Sequence, residues 1–166
     1  MKQSVLATVI CFLLYGCAAA PMVAPPAAVP SEKKPAIAVW DLEDLSPLEI
    51  AQMDLGNLLS ARIIETVQQA GGTVVEREKL EIALRELNLG SSSLADASTR
   101  LRIGRIAGAR LMIFGAYQVV ADQMRLDLRI VDVETGRIIK SAEKTAGGGD
   151  ISGWLKAAEA AAKELI

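Results

Sequence analysis

Three consecutive strand-forming segments near the carboxyl end constrain the fold of this chain more than any other part of the sequence. The first, "LMIFGAYQVV" at 111–120, is nearly continuously apolar, as expected of a strand covered on both faces. In the second, 124–130, apolar and charged residues alternate, so one face is predicted to be buried and the other exposed to water. The third strand is predicted over 137–145. The carboxyl-terminal part of the chain therefore builds a sheet from neighbouring strands.

The connection between the second and third strands carries two local signals. The apolar residues change phase at Val131 and Val133, which predicts a β-bulge. The sequence Glu-Thr-Gly at 134–136 then predicts a turn.

The segments before this block predict alternating strands and helices. Residues 36–42 and 73–76 are short and apolar and read as buried strands. Helices are expected from the capping box Ser46–Glu49 through Val67, over 77–89, from the cap Asp96 to Gly108, and from the cap Asp150 to Leu165. The fold class is therefore α/β: a single domain with a mixed β-sheet and packed helices in the order β-α-β-α-α-β-β-β-α.

The amino-terminal segment has the layout of a secretory signal, with Lys2 followed by a short apolar stretch that is too short to span a bilayer. It ends in Leu14-Tyr15-Gly16-Cys17, which resembles the bacterial lipobox. That resemblance implies cleavage before Cys17, diacylglycerol on its thiol and an acyl chain such as palmitate on its new amine. The alternative is a plain signal peptide that contains a cysteine. The next residue is Ala18 rather than aspartate, and similarity to sorted lipoproteins then implies the outer membrane, with the domain on its periplasmic face.

A proline-rich segment follows the cysteine. Residues 18–35 hold five of the six prolines of the chain, which favours an extended, unpacked conformation. At about 3.1 Å per residue such a segment reaches roughly 55 Å. We therefore expect three parts: a signal peptide at 1–16, a lipidated cysteine with a tether at 17–35, and a folded domain at 36–166.

The residue inventory excludes several kinds of chemistry. The chain has no histidine, which removes Ser-His-Asp and Cys-His triads and histidine-ligated metal sites, and no disulfide is expected from Cys11 and Cys17. The net charge is −2, which argues against a nucleic-acid partner. We predict no catalytic residue, no cofactor, no metal and no small-molecule substrate.

Three groups of residues admit a functional interpretation besides a structural one. Asp41, Glu43 and Asp44 offer oxygen ligands for a divalent cation, but a solvated loop between a strand and a helix is the favoured interpretation. The alternating charges at 125–129 are expected to be the wet face of a strand, with partner recognition as the alternative. Trp154 is expected in the core, with an exposed interface anchor as the alternative.

Three segments together resemble the CsgG family of curli production assembly/transport components. They are "VVEREKLEIALRELNL" at 74–89, "IGRIAGARLMIFGAY" at 103–117 and "LRIVDVETGRII" at 128–139. The resemblance spans roughly 36–146 and implies a periplasmic α/β domain that acts through protein contacts. The architecture is similar also to LpoB, FlgO and the amino-terminal domain of TolB, so the fold by itself does not select a function.

The chain departs from the channel-forming members of this family. Those members carry two transmembrane hairpin insertions, and here the corresponding positions hold only "VADQM" and "AGGGD". A membrane-crossing strand needs about 9–11 residues, so neither position holds a hairpin. The leading hypothesis is a non-enzymatic, outer-membrane-anchored interaction or assembly factor that binds an envelope protein or itself. The alternatives are a ring component of curli-type secretion and an LpoB-like activator of a peptidoglycan synthase.

Overall fold

The computed structural model describes residues 34–47, 54–87 and 95–166. The predicted signal peptide at 1–16, Cys17 and residues 18–33 of the tether lie outside the described residues, as do residues 48–53, which include Glu49 of the predicted capping box, and 88–94. None of the helices in the described part of the chain has the length and hydropathy needed to cross a bilayer.

The strands are β1 (Ala36–Val39), β2 (Glu43–Asp44), β3 (Thr73–Val74), β4 (Leu111–Val120), β5 (Gln123–Asp132) and β6 (Ile138–Ala146). They form a mixed sheet, as predicted, in the order β3-β1-β4-β5-β6. Parallel pairs join β1 to β3 and to β4, and antiparallel pairs join β4 to β5 and β5 to β6. The helices are α1 (Leu55–Gln69), α2 (Arg77–Glu86), α3 (Ala97–Ile106) and α4 (Ile151–Leu165). The predicted order of elements is confirmed, with β2 as an addition.

The first strand ends at Val39, earlier than the predicted 36–42, and β2 follows it at 43–44. Val39 pairs with Ile113 and Glu43 pairs with Ala116. The segment from Val39 to Glu43 therefore contains one residue more than the segment of β4 beside it. The acidic residues Glu43 and Asp44 therefore belong to a short strand beside β4, and the expectation of a loop at these two positions is wrong. Backbone hydrogen bonds to β4 account for the difference, as the N–H of Leu45 also donates to the carbonyl of Tyr117 at 2.9 Å.

The first helix begins later than the capping box suggested. Asp54 caps α1 by accepting a hydrogen bond from the N–H of Asn57 at 3.2 Å. The hydroxyl of Ser46 accepts from the N–H of Val119 at 3.0 Å, because β2 carries Ser46 alongside β4. Ser46 is thus committed to the sheet, and the prediction that it caps α1 is wrong. The other two predicted caps are confirmed, since Asp96 accepts from the N–H of Thr99 at 2.7 Å and Asp150 from the N–H of Ser152 at 3.0 Å.

Two apolar cores lie on opposite faces of the sheet. Helices α1 and α4 cover the first face, where the core includes the alternating residues of β5: Met124, Leu126, Leu128 and Ile130. Helices α2 and α3 cover the second face, where Met112, Phe114 and Val131 are buried. Trp154 is buried in the first core at 7% exposure, which confirms its predicted place.

The connections within the antiparallel part are short. Ala121 and Asp122, both with positive φ, join β4 to β5 in a two-residue turn. A bulge is confirmed at the predicted position, between Ile130 and Val131, but its extra residue lies in β6: Ile130 pairs with Lys140 and Val131 with Ile138, which leaves Ile139 unpaired. In the turn between β5 and β6, the Asp132 carboxylate accepts hydrogen bonds from the N–H of Thr135 at 2.8 Å and from the Thr135 hydroxyl at 3.0 Å.

Candidate interaction surface

The long antiparallel strands leave part of the second sheet face uncovered. Strands β4 and β5 have ten residues each, whereas helices α2 and α3 pack over the end of this face that carries Met112, Phe114 and Val131. Directly opposed residues of neighbouring strands point to the same side, so the register identifies the remainder of the face. We call it the open face, and it consists of Ala116, Gln118, Arg125, Asp127, Arg129, Ser141, Glu143 and Thr145.

Charged side chains on the open face are organised by one arginine. The guanidinium of Arg125 donates to both carboxylate oxygens of Asp127, at 2.9 and 3.0 Å, and to Glu143 at 3.0 Å. The hydrogen bonds and charge of Asp127, together with the charge of Glu143, raise the pKa of Arg125. The alternating charges predicted for this strand do form its wet face, and the fold adds Glu143 from the neighbouring strand.

A groove of about 500 Å³ opens where the open face meets the covered end of the sheet. Its floor contains Trp40 and Phe114, whose ring centroids lie 6.4 Å apart at a tilt of 49°. An arginine lies against each ring. The guanidinium carbon of Arg100 is 5.9 Å from the centroid of Trp40, and that of Arg129 is 5.9 Å from the centroid of Phe114. Gly115, Ala116 and Ala142 also line the groove.

The acidic residues Asp41, Glu43 and Asp44 each contact a different side chain of the same protein. Asp41 forms an ion pair with Arg77 at 2.8 Å, and Glu43 forms one with Arg100. Among the residues that the structure describes, no group of three or more ligating side chains is arranged to hold a metal ion.

Asp44 is turned toward Tyr117, which donates its hydroxyl proton to the Asp44 carboxylate at 2.9 Å. Burial acts to raise the pKa of Asp44, but the hydrogen bonds from Ser46 and Tyr117 outweigh it and lower the pKa. Burial and the neighbouring Asp44 raise the pKa of Tyr117 to about 12. This pair fixes β2 against β4, with Tyr117 buried in the core of the first sheet face.

The fold brings together some predicted residues and adds others that the sequence did not single out. Arg125, Asp127 and Arg129 lie on one surface, as their alternation indicated. The aromatic floor, Arg100 and the side chains of β6 were missed, because they come from segments far apart in the chain. Only the alternation of Ser141, Glu143 and Thr145 could have indicated a second wet strand.

Comparison with known proteins gives a family and a set of similar folds. The family model of the curli production assembly/transport component CsgG matches residues 24–121, more than half of the chain. This range contains two of the three segments quoted above, and the third, at 128–139, lies beyond it. A search of curated proteins gave no match.

Several solved structures share the fold at low sequence identity. The LpoB C-terminal domain from Salmonella enterica superposes with a TM-score of 0.60 at 18% identity, over 70% of this chain and 84% of that one. Lipoprotein GNA1162 from Neisseria meningitidis gives 0.57 at 15% identity, over 70% and 82%. The PelC dodecamer from Paraburkholderia phytofirmans gives 0.54 at 16% identity, over 80% and 89%. At these identities the similarity concerns the fold alone.

Proposed function

Because the chain belongs to the CsgG family, we propose that it is a non-enzymatic lipoprotein of the outer membrane whose periplasmic domain binds another envelope protein. In this proposal residues 1–16 are removed, Cys17 carries the lipid, and residues 17–35 hold the folded domain away from the membrane. No nucleic acid, small-molecule substrate or cofactor takes part.

The open face is the observation that carries this proposal. It is a broad, exposed surface of three long strands, while the opposite sheet face is covered by α1 and α4. Its charges are largely paired with one another, so a partner meets a fixed pattern of donors and acceptors. The aromatic and arginine side chains of the groove are the residue types that contribute most often to protein interfaces.

Photo-crosslinking in the producing cell tests the partner-binding surface. A photoreactive residue is placed at Thr145 on the open face and, as a matched control, at Ala160, an exposed residue of α4. We expect a discrete protein adduct from position 145 and none of the same size from position 160. Equal adducts from both positions, or none from position 145, would contradict the proposal.

Lipid anchoring is tested separately with the full-length chain. The variant Cys17→Ser should lose incorporation of labelled palmitate and leave the membrane fraction, while Cys11→Ser should leave the mature protein unchanged. Persistence of Cys17→Ser in the membrane fraction would show that the lipobox interpretation is wrong.

A ring assembled from copies of this chain is the second candidate function, as expected for curli-type secretion. The observation that favours it is the edge strand β6, in which Ile138 and Ile139 are 56% and 57% exposed. PelC from Paraburkholderia, with the same fold, is a dodecamer. Native mass spectrometry of the detergent-extracted protein distinguishes the two candidates, since a single-copy mass would exclude the ring. Activation of a peptidoglycan synthase is a special case of the first proposal, in which the partner is that enzyme.

A further inference from the structure

All but one of the charged side chains described as lining the groove form ion pairs within the protein. The charged side chains of the groove are Asp41, Glu43, Arg100, Asp127, Arg129 and Glu143. Asp41 pairs with Arg77, Glu43 with Arg100, and both Asp127 and Glu143 with Arg125. Within the described ranges, no carboxylate forms an ion pair with Arg129. Among the described residues of the groove, Arg129 is therefore the guanidinium that forms no ion pair.

The surroundings of Arg129 fix its position without neutralising it. Its guanidinium carbon lies 5.9 Å from the centroid of the Phe114 ring, and Phe114 itself is only 6% exposed. On the other side of β5, the register places Ser141 directly opposite Arg129 on the same face. Stacking on an aromatic ring restricts a guanidinium while leaving its N–H donors available, and a planar guanidinium matches the geometry of a carboxylate.

We propose that the groove receives an acidic side chain of a partner protein, whose carboxylate accepts hydrogen bonds from the guanidinium of Arg129. The hydroxyl of Ser141 lies on the same side and offers a further donor. This inference rests on the proposed function and specifies the chemistry of the partner at the open face.

The composition of the groove favours a single carboxylate over a highly charged anionic surface. The four carboxylates that line the groove are already held in ion pairs with Arg77, Arg100 or Arg125. A phospholipid surface or another polyanion would bring several negative charges beside them, whereas a single carboxylate can contact Arg129 alone. Beside it, Ile138 lines the groove at 56% exposure and provides apolar contact for a neighbouring side chain. An extended peptide segment with an acidic residue next to an apolar one fits this pattern.

The test compares variants of Arg129 in the crosslinking experiment with the full-length protein. Arg129→Gln removes the charge, Arg129→Lys keeps it, and Arg102→Gln removes a charge from an exposed position on α3 as the control. We expect Arg129→Gln to reduce the adduct from position 145 about tenfold, since a hydrogen bond between charged groups is lost. Arg129→Lys should retain a larger fraction of this adduct than Arg129→Gln does, and Arg102→Gln should give as much adduct as the wild type. Thermal unfolding of each variant establishes that it is folded.

Mass spectrometry of the adduct identifies the cross-linked segment of the partner. An aspartate or glutamate within a few residues of the cross-linked site is the expected result. An adduct that is insensitive to Arg129→Gln, or one with a lipid or a second copy of this chain, overturns the inference. An adduct that is insensitive to Arg129→Gln still leaves the partner-binding function in place, whereas the absence of any adduct from position 145 overturns that function as well.

Discussion

Replacement of Gly115 by alanine should destabilise the domain, because the added Cβ has no space in the sheet. An ideal Cβ at this position would lie 2.4 Å from Leu128 Cδ2, 2.8 Å from the carbonyl oxygen of Asp127 and 2.8 Å from Leu42 Cδ2. Carbon atoms in a packed core lie about 3.5–4.0 Å apart, so all three neighbours must move. Leu128 is 3% exposed, and the Asp127 carbonyl belongs to a strand paired with β4 along its whole length.

The magnitude follows from two opposing effects. Overpacking a close-packed core costs about 1–3 kcal/mol. Replacing glycine by alanine stabilises by about 0.4–1 kcal/mol through the unfolded chain, which loses conformational freedom. We therefore expect Gly115→Ala to lower the free energy of unfolding by about 1–2 kcal/mol, equivalent to a fall of roughly 3–8 °C in Tm.

The control is the same substitution at Gly153, in the first turn of α4. Its Cβ would meet only the carbonyl oxygen of Gly147, at 4.0 Å. Gly153→Ala should therefore raise the free energy of unfolding, by about 0.5 kcal/mol, since alanine favours the helix over glycine. Urea denaturation followed by circular dichroism measures both variants. If Gly115→Ala unfolded at the wild-type midpoint, or if the two variants shifted in the same direction, the packing argument would be refuted.

Two further predictions concern ionisable groups. Hydrogen bonds from the N–H and hydroxyl of Thr135, and to a lesser extent Arg110, lower the pKa of Asp132 from 3.8 to about 2. Because the pKa is lower in the folded protein, ionised Asp132 stabilises the fold fully above about pH 4, and this contribution is lost as the pH falls toward 2. Asp132→Asn should therefore flatten the decline of stability over this pH range in urea titrations, and an unchanged slope would contradict the prediction. Tyr117→Phe removes the hydrogen bond to Asp44 and should cost about 1 kcal/mol near neutral pH. Because the pKa of Tyr117 is raised to about 12 in the folded protein, the contribution of this hydrogen bond is lost as the pH rises from 10 to 12. The difference in unfolding free energy between wild type and Tyr117→Phe should therefore shrink over this range. A constant difference would refute the role given to the hydrogen bond between Tyr117 and Asp44.

Much of the fold could be read from local patterns. The alternation along β5, with Leu126 and Leu128 buried and Arg125 exposed, reports one covered face, and the structure agrees. The caps at Asp96 and Asp150 were identified because a cap needs only a carboxylate and a nearby N–H. The prediction that Ser46 caps α1 was wrong, since Asp54 caps that helix and β2 places the Ser46 hydroxyl beside Val119. That contact joins residues 73 positions apart, and no local pattern reports it.

The candidate site was less accessible to prediction than the fold. Glu43 and Arg100 are separated by 57 positions, yet they form one ion pair beside the groove. Phe114 and Arg129 meet because β4 and β5 pair in a particular register. Periodicity indicated that the charges at 125–129 are exposed, but it did not indicate which of them would have a partner.

The sequence by itself determined the order of strands and helices, the bulge after Ile130 and the wet face of β5, because periodicity and turn chemistry act over a few residues. The tertiary structure decided which part of the sheet stays open and which charge in the groove is left without an opposite charge. Those properties depend on where α2 and α3 end on the sheet and on ion pairs between distant segments, and both are set by packing between segments.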